Sequence, residues 1–143
     1  MTVKDICRPK DELVSASADT AVRELCRLMD ERKVGCVVIE SDAEPTGIVT
    51  DRDVAMAFGA GEPLDEWTAE DIMNREPFTA QAGDGIFELC AAMAEHGVRR
   101  VPVVDDGELY GIVTLDDLVI LLEDEMHNIS EVIRSESPPF QTA

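Results

Sequence analysis

Two kinds of apolar periodicity alternate along this chain. Val22, Leu25, Cys26 and Met29 recur at helical spacing and predict a helix over roughly 20–32, with Asp19 placed to cap it. Residues 36–40 form a continuous apolar run of strand type, and residues 46–49 read as its hairpin partner across a polar turn at 41–45. A short strand is expected at 13–16, and a second helix from about 50 to just before Gly59. Gly59-Ala-Gly-Glu-Pro63 then breaks the pattern.

The same order follows again. A lead-in at 68–74 precedes a strand at 78–80 and a helix from about 85 to 96. Strands at 101–104 and 110–113 flank an Asp105-Asp-Gly107 turn. The likeness extends to the residues. Gly47-Ile-Val-Thr-Asp-Arg-Asp53 returns sixty-four positions later as Gly111-Ile-Val-Thr-Leu-Asp-Asp117. Between 21 and 58 that register runs without a gap, and fourteen of thirty-eight positions are identical. One supersecondary unit has been duplicated, so the two copies are expected to bury their faces against each other. The lead-ins Asp5-Ile-Cys7 and Asp71-Ile-Met73 also match, at a spacing of sixty-six.

The organisation read from these signals is repeat 1 at 5–60, a linker at 61–70 and repeat 2 at 71–124. A helical extension follows at 125–134, then a disordered tail at 135–143. Along the final helix, which outruns its counterpart, Val119, Leu122, Met126, Ile129 and Ile133 make a heptad-like seam, suited to packing on its own subunit, a twin or another protein.

Composition narrows the function classes. The 143 residues carry a net charge of −19, from 31 acidic and 12 basic side chains. Such a field repels nucleic acid and anionic membranes, so neither is an expected partner. The acidic excess reads first as a solvated surface, as in a salty cytoplasm, and only second as a patch for a basic partner. No apolar stretch approaches the ~18 residues of a membrane span, and no signal pattern opens the chain; a cytoplasmic protein is expected. Cys7, Cys26, Cys36 and Cys90 form no CxxC pair and lie at no zinc-ligand spacing from His96 or His127. Buried thiols, or a regulatory disulfide involving Cys7 or Cys36, are the two readings.

Candidate chemistry gathers at the duplicated turn. Thr50-x-x-Asp53 and Thr114-x-x-Asp117 each follow an apolar strand opened by glycine. As a capping box, the Thr hydroxyl accepts from the third helical N–H and the carboxylate reaches back to the cap. The same geometry also suits a ligand, since the helix N-terminus favours a phosphate and a first-turn carboxylate can accept from a ribose diol. The preceding glycine admits a ligand or a neighbouring backbone. Arg99 and Arg100 stand where the first copy has Gly35 and Cys36, a phosphate clamp or a pair of ion-pairing cations. Arg52 is a further cation beside Asp53.

The paired G-[IV]-V-T-x-x-D turns, the Val98-Arg-Arg-Val-Pro-Val-Val-Asp105 strand and the repeat length closely resemble tandem cystathionine-β-synthase (CBS) domains, from Asp5 to about Leu122. Thr50-Asp-Arg-Asp-Val-Ala55 looks like small stand-alone prokaryotic CBS-pair proteins, including hypoxia-response types. The resemblance implies an α+β fold, two β-α-β-β-α repeats packed as a pseudo-twofold pair (a Bateman module), and a homodimer shaped as a flat disc of four units. It implies an adenosine ligand (AMP first, then ADP, ATP or S-adenosylmethionine) and no covalent cofactor. Asp117, Thr114 and Asp116 match ribose and phosphate contacts in the second copy, and Asp53, Thr50 and Arg52 those in the first. Arg100, with Arg99, matches a phosphate contact. Ser15, Ser17 and Asp19, with Thr79, Ala80 and Gly83, match the adenine surroundings. Because Gly35-Cys36 lacks cations, the first-copy site is expected to be the weaker.

Two functions compete on these residues. One is a nucleotide-binding regulatory module that signals to a downstream protein. The other is a ligand-independent dimeric scaffold in which Thr-x-x-Asp is only a cap. An enzyme is not expected, since no nucleophile elbow, P-loop or metal cluster is present in the sequence.

Overall fold

A computed structural model describes residues 1–136. The chain divides into two compact units, residues 1–113 and the described residues from 114 on. The first unit opens with α1 (Val3–Ile6) and β1 (Arg8–Pro9). It continues through β2 (Ser15–Ala16), α2 (Val22–Arg32), β3 (Cys36–Ser41), β4 (Glu44–Thr50) and α3 (Asp51–Gly59). The second round is α4 (Ala69–Ile72), β5 (Asn74–Arg75), β6 (Ala80–Gln81), α5 (Ile86–His96), β7 (Arg100–Asp105) and β8 (Glu108–Thr114). The second unit is α6 (Leu115–Glu136).

The strands form two four-stranded sheets, ordered β1-β8-β7-β6 and β2-β3-β4-β5. Each repeat therefore lends its lead-in strand to the other. β1 runs antiparallel to β8, pairing Pro9 with Gly111, and β5 runs antiparallel to β4, pairing Arg75 with Gly47. The lead-in helices make the same exchange. Val3 and Lys4 donate N–H to Asp84 and Ala82, while Ala69 and Glu70 donate to Thr20 and Ala18.

That exchange explains both motif glycines. A Cβ on Gly111 would stand 2.1 Å from the Arg8 carbonyl oxygen, and one on Gly47 would stand 2.6 Å from Met73 Sδ. The sequence left ligand and backbone as alternatives for this close approach; the neighbour is the crossing lead-in chain.

The unbroken apolar run of β3 follows from burial on both faces, because successive side chains of a strand point oppositely. Val37 and Ile39 pack with Leu25, Met29 and Val49, whereas Cys36 and Val38 pack with Leu109 and Ile112 of the second repeat. The repeats are thus joined through a common core, as the duplication predicted. The hairpin turns use positive φ at Asp42 and Ala43 in one copy and at Asp106 and Gly107 in the other. Helices α2 and α5 both end on a left-handed residue at the same repeat position, Lys33 and Gly97.

Several expectations shift. Helix α2 starts at Val22, not Thr20, because residues 20–22 turn to meet the crossing lead-in: Val22 N–H donates to Trp67 O. Asp19 does not cap it; its carboxylate accepts from the Ser17 hydroxyl. The strand expected at 78–80 lies at Ala80–Gln81, and α6 continues through Ser135 and Glu136, where a tail was expected. Residues 137–143 of the expected tail lie outside the described residues. No helix of the described residues is long and apolar enough to cross a membrane.

Candidate functional site

Thr50 is the N-cap of α3. Its hydroxyl accepts the Asp53 N–H (3.2 Å), and Asp53 Oδ2 accepts the Thr50 N–H (2.8 Å). The capping box is therefore fully formed. Asp53 Oδ2 accepts a further bond from Asn74 Nδ2 at 3.0 Å, which ties the turn to the second repeat's lead-in strand. In the second unit the Asp117 N–H donates to Thr114 Oγ1 at 3.2 Å, the same half of the motif.

Beside Thr50 lies a cleft of about 350 Å³, bounded by β4, β5 with the Glu76-Pro77-Phe78 segment, and Val98 to Arg100. Three arginines line it (Arg75, Arg99 and Arg100) against one acid, Glu76, in a chain whose net charge is −19. The concentration of cations gives the cleft a local sign opposite to the surface, which suits an anion. Arg75 is held by the Glu70 carboxylate (3.0 Å) and backbone carbonyl (3.1 Å). Phe78 stacks on His96 with ring centroids 4.2 Å apart, so an aromatic surface stands at the cleft edge with a fixed partner.

The placement of Arg100 depends on residue 35. A Cβ built there would lie 2.7 Å from Arg100 Nη2 and 3.3 Å from Asp51 Oδ2. The guanidinium thus uses the room that Gly35 leaves. Buried Cys36 adjoins the same pair: burial pushes its thiol up, the Arg100 charge opposes this, and Asp51 adds to it.

A larger hollow of about 580 Å³ holds Ser17 and Asp19, but its walls also carry Glu40, Asp42, Glu70 and Asp71. Five carboxylates there disfavour a phosphate, so volume and chemistry disagree, and chemistry decides for the smaller cleft.

Of the residues singled out in the sequence, the structure brings Thr50, Arg99 and Arg100 to one cleft, with Asp53 one hydrogen bond away through Asn74. The cations expected to serve the second copy's turn stand at the first. Arg52 is exposed on the first turn of α3, its N–H donating to Asp51 Oδ1 at 2.8 Å. Ser15 lies in β2 and Ala80 is buried in β6; neither they nor Thr79 and Gly83 line the cleft. Thr114, Asp116 and Asp117 belong to the second unit. Asn74, Arg75 and Phe78 were missed. Carrying the lead-in match at sixty-six two residues further marks Asn74 and Arg75 as counterparts of Arg8 and Pro9.

The CBS domain model matches residues 3–60 and again 69–124. The chain belongs to the CBS domain family. An uncharacterised protein of Methanopyrus kandleri is 36% identical over 141 residues, covering 92% of this chain and 71% of the relative. Among solved structures, the CBS domain pair of protein MJ0100, in complex with 5′-methylthioadenosine and S-adenosyl-L-methionine, is 26% identical with a TM-score of 0.78. It covers 87% of this chain and 98% of that one. A CBS domain protein from Pyrobaculum aerophilum, complexed with AMP, is 29% identical with a TM-score of 0.75, covering 86% and 97%. The α+β architecture of two CBS repeats is that of a Bateman module.

Proposed function

We propose that this CBS pair is a regulatory module that takes an adenosine ligand, AMP first among them, and reports its level to another protein. One observation carries the reading: the cleft places three arginines, a helix N-cap and an aromatic edge together in an otherwise strongly acidic chain. Similar CBS pairs crystallised with AMP or with S-adenosylmethionine support it. In this reading Arg99 and Arg100 meet the phosphate. Asp53, whose cap and Asn74 bonds both fall on Oδ2, meets the ribose through Oδ1. Thr114, Asp116 and Asp117 offer a second turn of the same type. Regulation requires that the ligand favour one of two arrangements of the module. Catalysis has no part in this reading.

Titration calorimetry of the whole chain with AMP, adenosine and S-adenosylmethionine tests it, with melting curves alongside. Micromolar heats and a raised melting temperature with at least one ligand are expected. No heat and no shift with all three would end the proposal.

A second reading, the dimeric scaffold, is favoured by α6. Val119, Leu122, Met126, Ile129 and Ile133 share one stripe and are each more than half exposed. A homodimer with this stripe at its interface accommodates both readings. Light scattering on the full chain should give twice the 15.7 kDa chain mass, and truncation after Leu122 should lower it.

A further inference from the structure

We infer that Asn74 reads the sugar of the ligand, its side-chain carbonyl accepting a hydrogen bond from a ribose hydroxyl. This rests on the adenosine reading above and adds what makes the cleft select a ribose. Asn74 lines the cleft together with Thr50, Arg99 and Arg100. Its Nδ2 donates to Asp53 Oδ2 at 3.0 Å. An ionised carboxylate only accepts, so the amide nitrogen must face Asp53 and the orientation of the amide is fixed. The carbonyl Oδ1 is left as an acceptor, and among the described residues none donates to it.

Strand pairing does not call for an asparagine here. Asn74 stands opposite Ile48 in the β4–β5 ladder, as its counterpart Arg8 stands opposite Ile112 in the β1–β8 ladder. One ladder position thus holds two unlike side chains, and asparagine is a poor strand former. Nor does the tie to Asp53 call for it, because a cation such as the other copy's arginine would hold a carboxylate more strongly. Arginine, however, only donates, whereas the amide donates to Asp53 and still accepts. An acceptor beside two cations suits a ligand that carries hydroxyl donors as well as an anion. The sugar of a ribonucleoside monophosphate supplies those donors, and a deoxyribose lacks one of them. Asp53 serves this contact by fixing which end of the amide is turned to the ligand.

The experiment is calorimetry of the full chain with AMP, 2′-deoxy-AMP and 3′-deoxy-AMP, on the wild type, Asn74→Ala and Asn74→Arg. The wild type should prefer AMP over each deoxy analogue by about three- to tenfold. Asn74→Ala removes both the tie and the acceptor, while Asn74→Arg can keep the tie to Asp53 but has no acceptor. In both variants the preference over at least one analogue should fall below about twofold, with circular dichroism confirming the fold. The ratio of affinities is the readout, so a general gain or loss of phosphate binding does not move it. A wild type that binds AMP with no preference over either analogue overturns the inference while the adenosine reading stands. Preferences over both analogues that survive either substitution do the same. A wild-type chain that binds none of the three ligands overturns both.

Discussion

The guanidinium of Arg100 and the missing side chain of Gly35 fit one another across the two repeats. Nη2 lies 2.7 Å from where a Cβ would be, on a glycine for which no left-handed φ is needed. The glycine here is steric, not conformational. The same pair resolves an asymmetry in the duplication: Gly35 in one copy and Arg99 in the other occupy equivalent positions, and the small residue clears space for the neighbouring cation.

Gly35→Ala should therefore fold normally, because the crowded atom is the end of a flexible chain. It should push the guanidinium out of its niche and weaken AMP about five- to tenfold by losing a charge-assisted contact, leaving adenosine unchanged. Calorimetry of both ligands measures the split; equal losses would mean a general distortion.

Asp53→Ala removes the reciprocal cap on Thr50 and the acceptor for Asn74. Denaturant unfolding should show a loss of about 1–2 kcal/mol. If the carboxylate also meets a ribose, adenosine affinity falls at a temperature where the variant is fully folded. A stability loss with unaltered binding would favour the scaffold reading.

Gly111→Ala and Gly47→Ala should differ in cost, although they are repeat equivalents. The first sets a methyl against the Arg8 carbonyl at 2.1 Å, and backbone cannot yield without breaking the β1–β8 pairing. The second meets the Met73 side chain, which can rotate away. Chemical denaturation should place the Gly111 variant about 1–3 kcal/mol below the wild type and the Gly47 variant nearer to it.

Lys33→Gly should stabilise the fold by about 0.5–1 kcal/mol, since Lys33 caps α2 in the left-handed region at φ 54° where the second copy has Gly97. Its exposed contact with Asp30 contributes little against this. Thermal melts of Lys33→Gly and of the reverse change, Gly97→Lys, should move in opposite directions.

Cys36 supplies a pH dependence. Burial raises its thiol in the folded chain, so the folded state holds that proton more tightly than the unfolded one. Its contribution is complete below about pH 8.5, the ordinary thiol range, and is lost as pH rises through the folded value. Denaturant midpoints should fall on going from pH 8 to pH 10, and less so in Cys36→Ala. Thiol labelling at neutral pH should modify exposed Cys90 first and Cys36 last.

The duplication, the helix and strand types and the Thr-x-x-Asp caps were legible in the sequence because each depends on neighbours within a few positions. Val22, Leu25 and Met29 declare a buried helix face, and Asp105-Asp-Gly107 a hairpin turn, wherever the rest of the chain lies. Which copy's turn receives Arg99 and Arg100 is a different kind of fact. It follows from the exchange of lead-in strands and from packing β3 against β8, which bring Thr50 together with Arg99 and Arg100, some fifty positions on, in one cleft. Local periodicity carries no information about that crossing. Only the tertiary structure decided that Gly111 admits the Arg8 backbone and Gly47 the Met73 side chain, that Asn74 ties down Asp53, and that Gly35 makes room for Arg100.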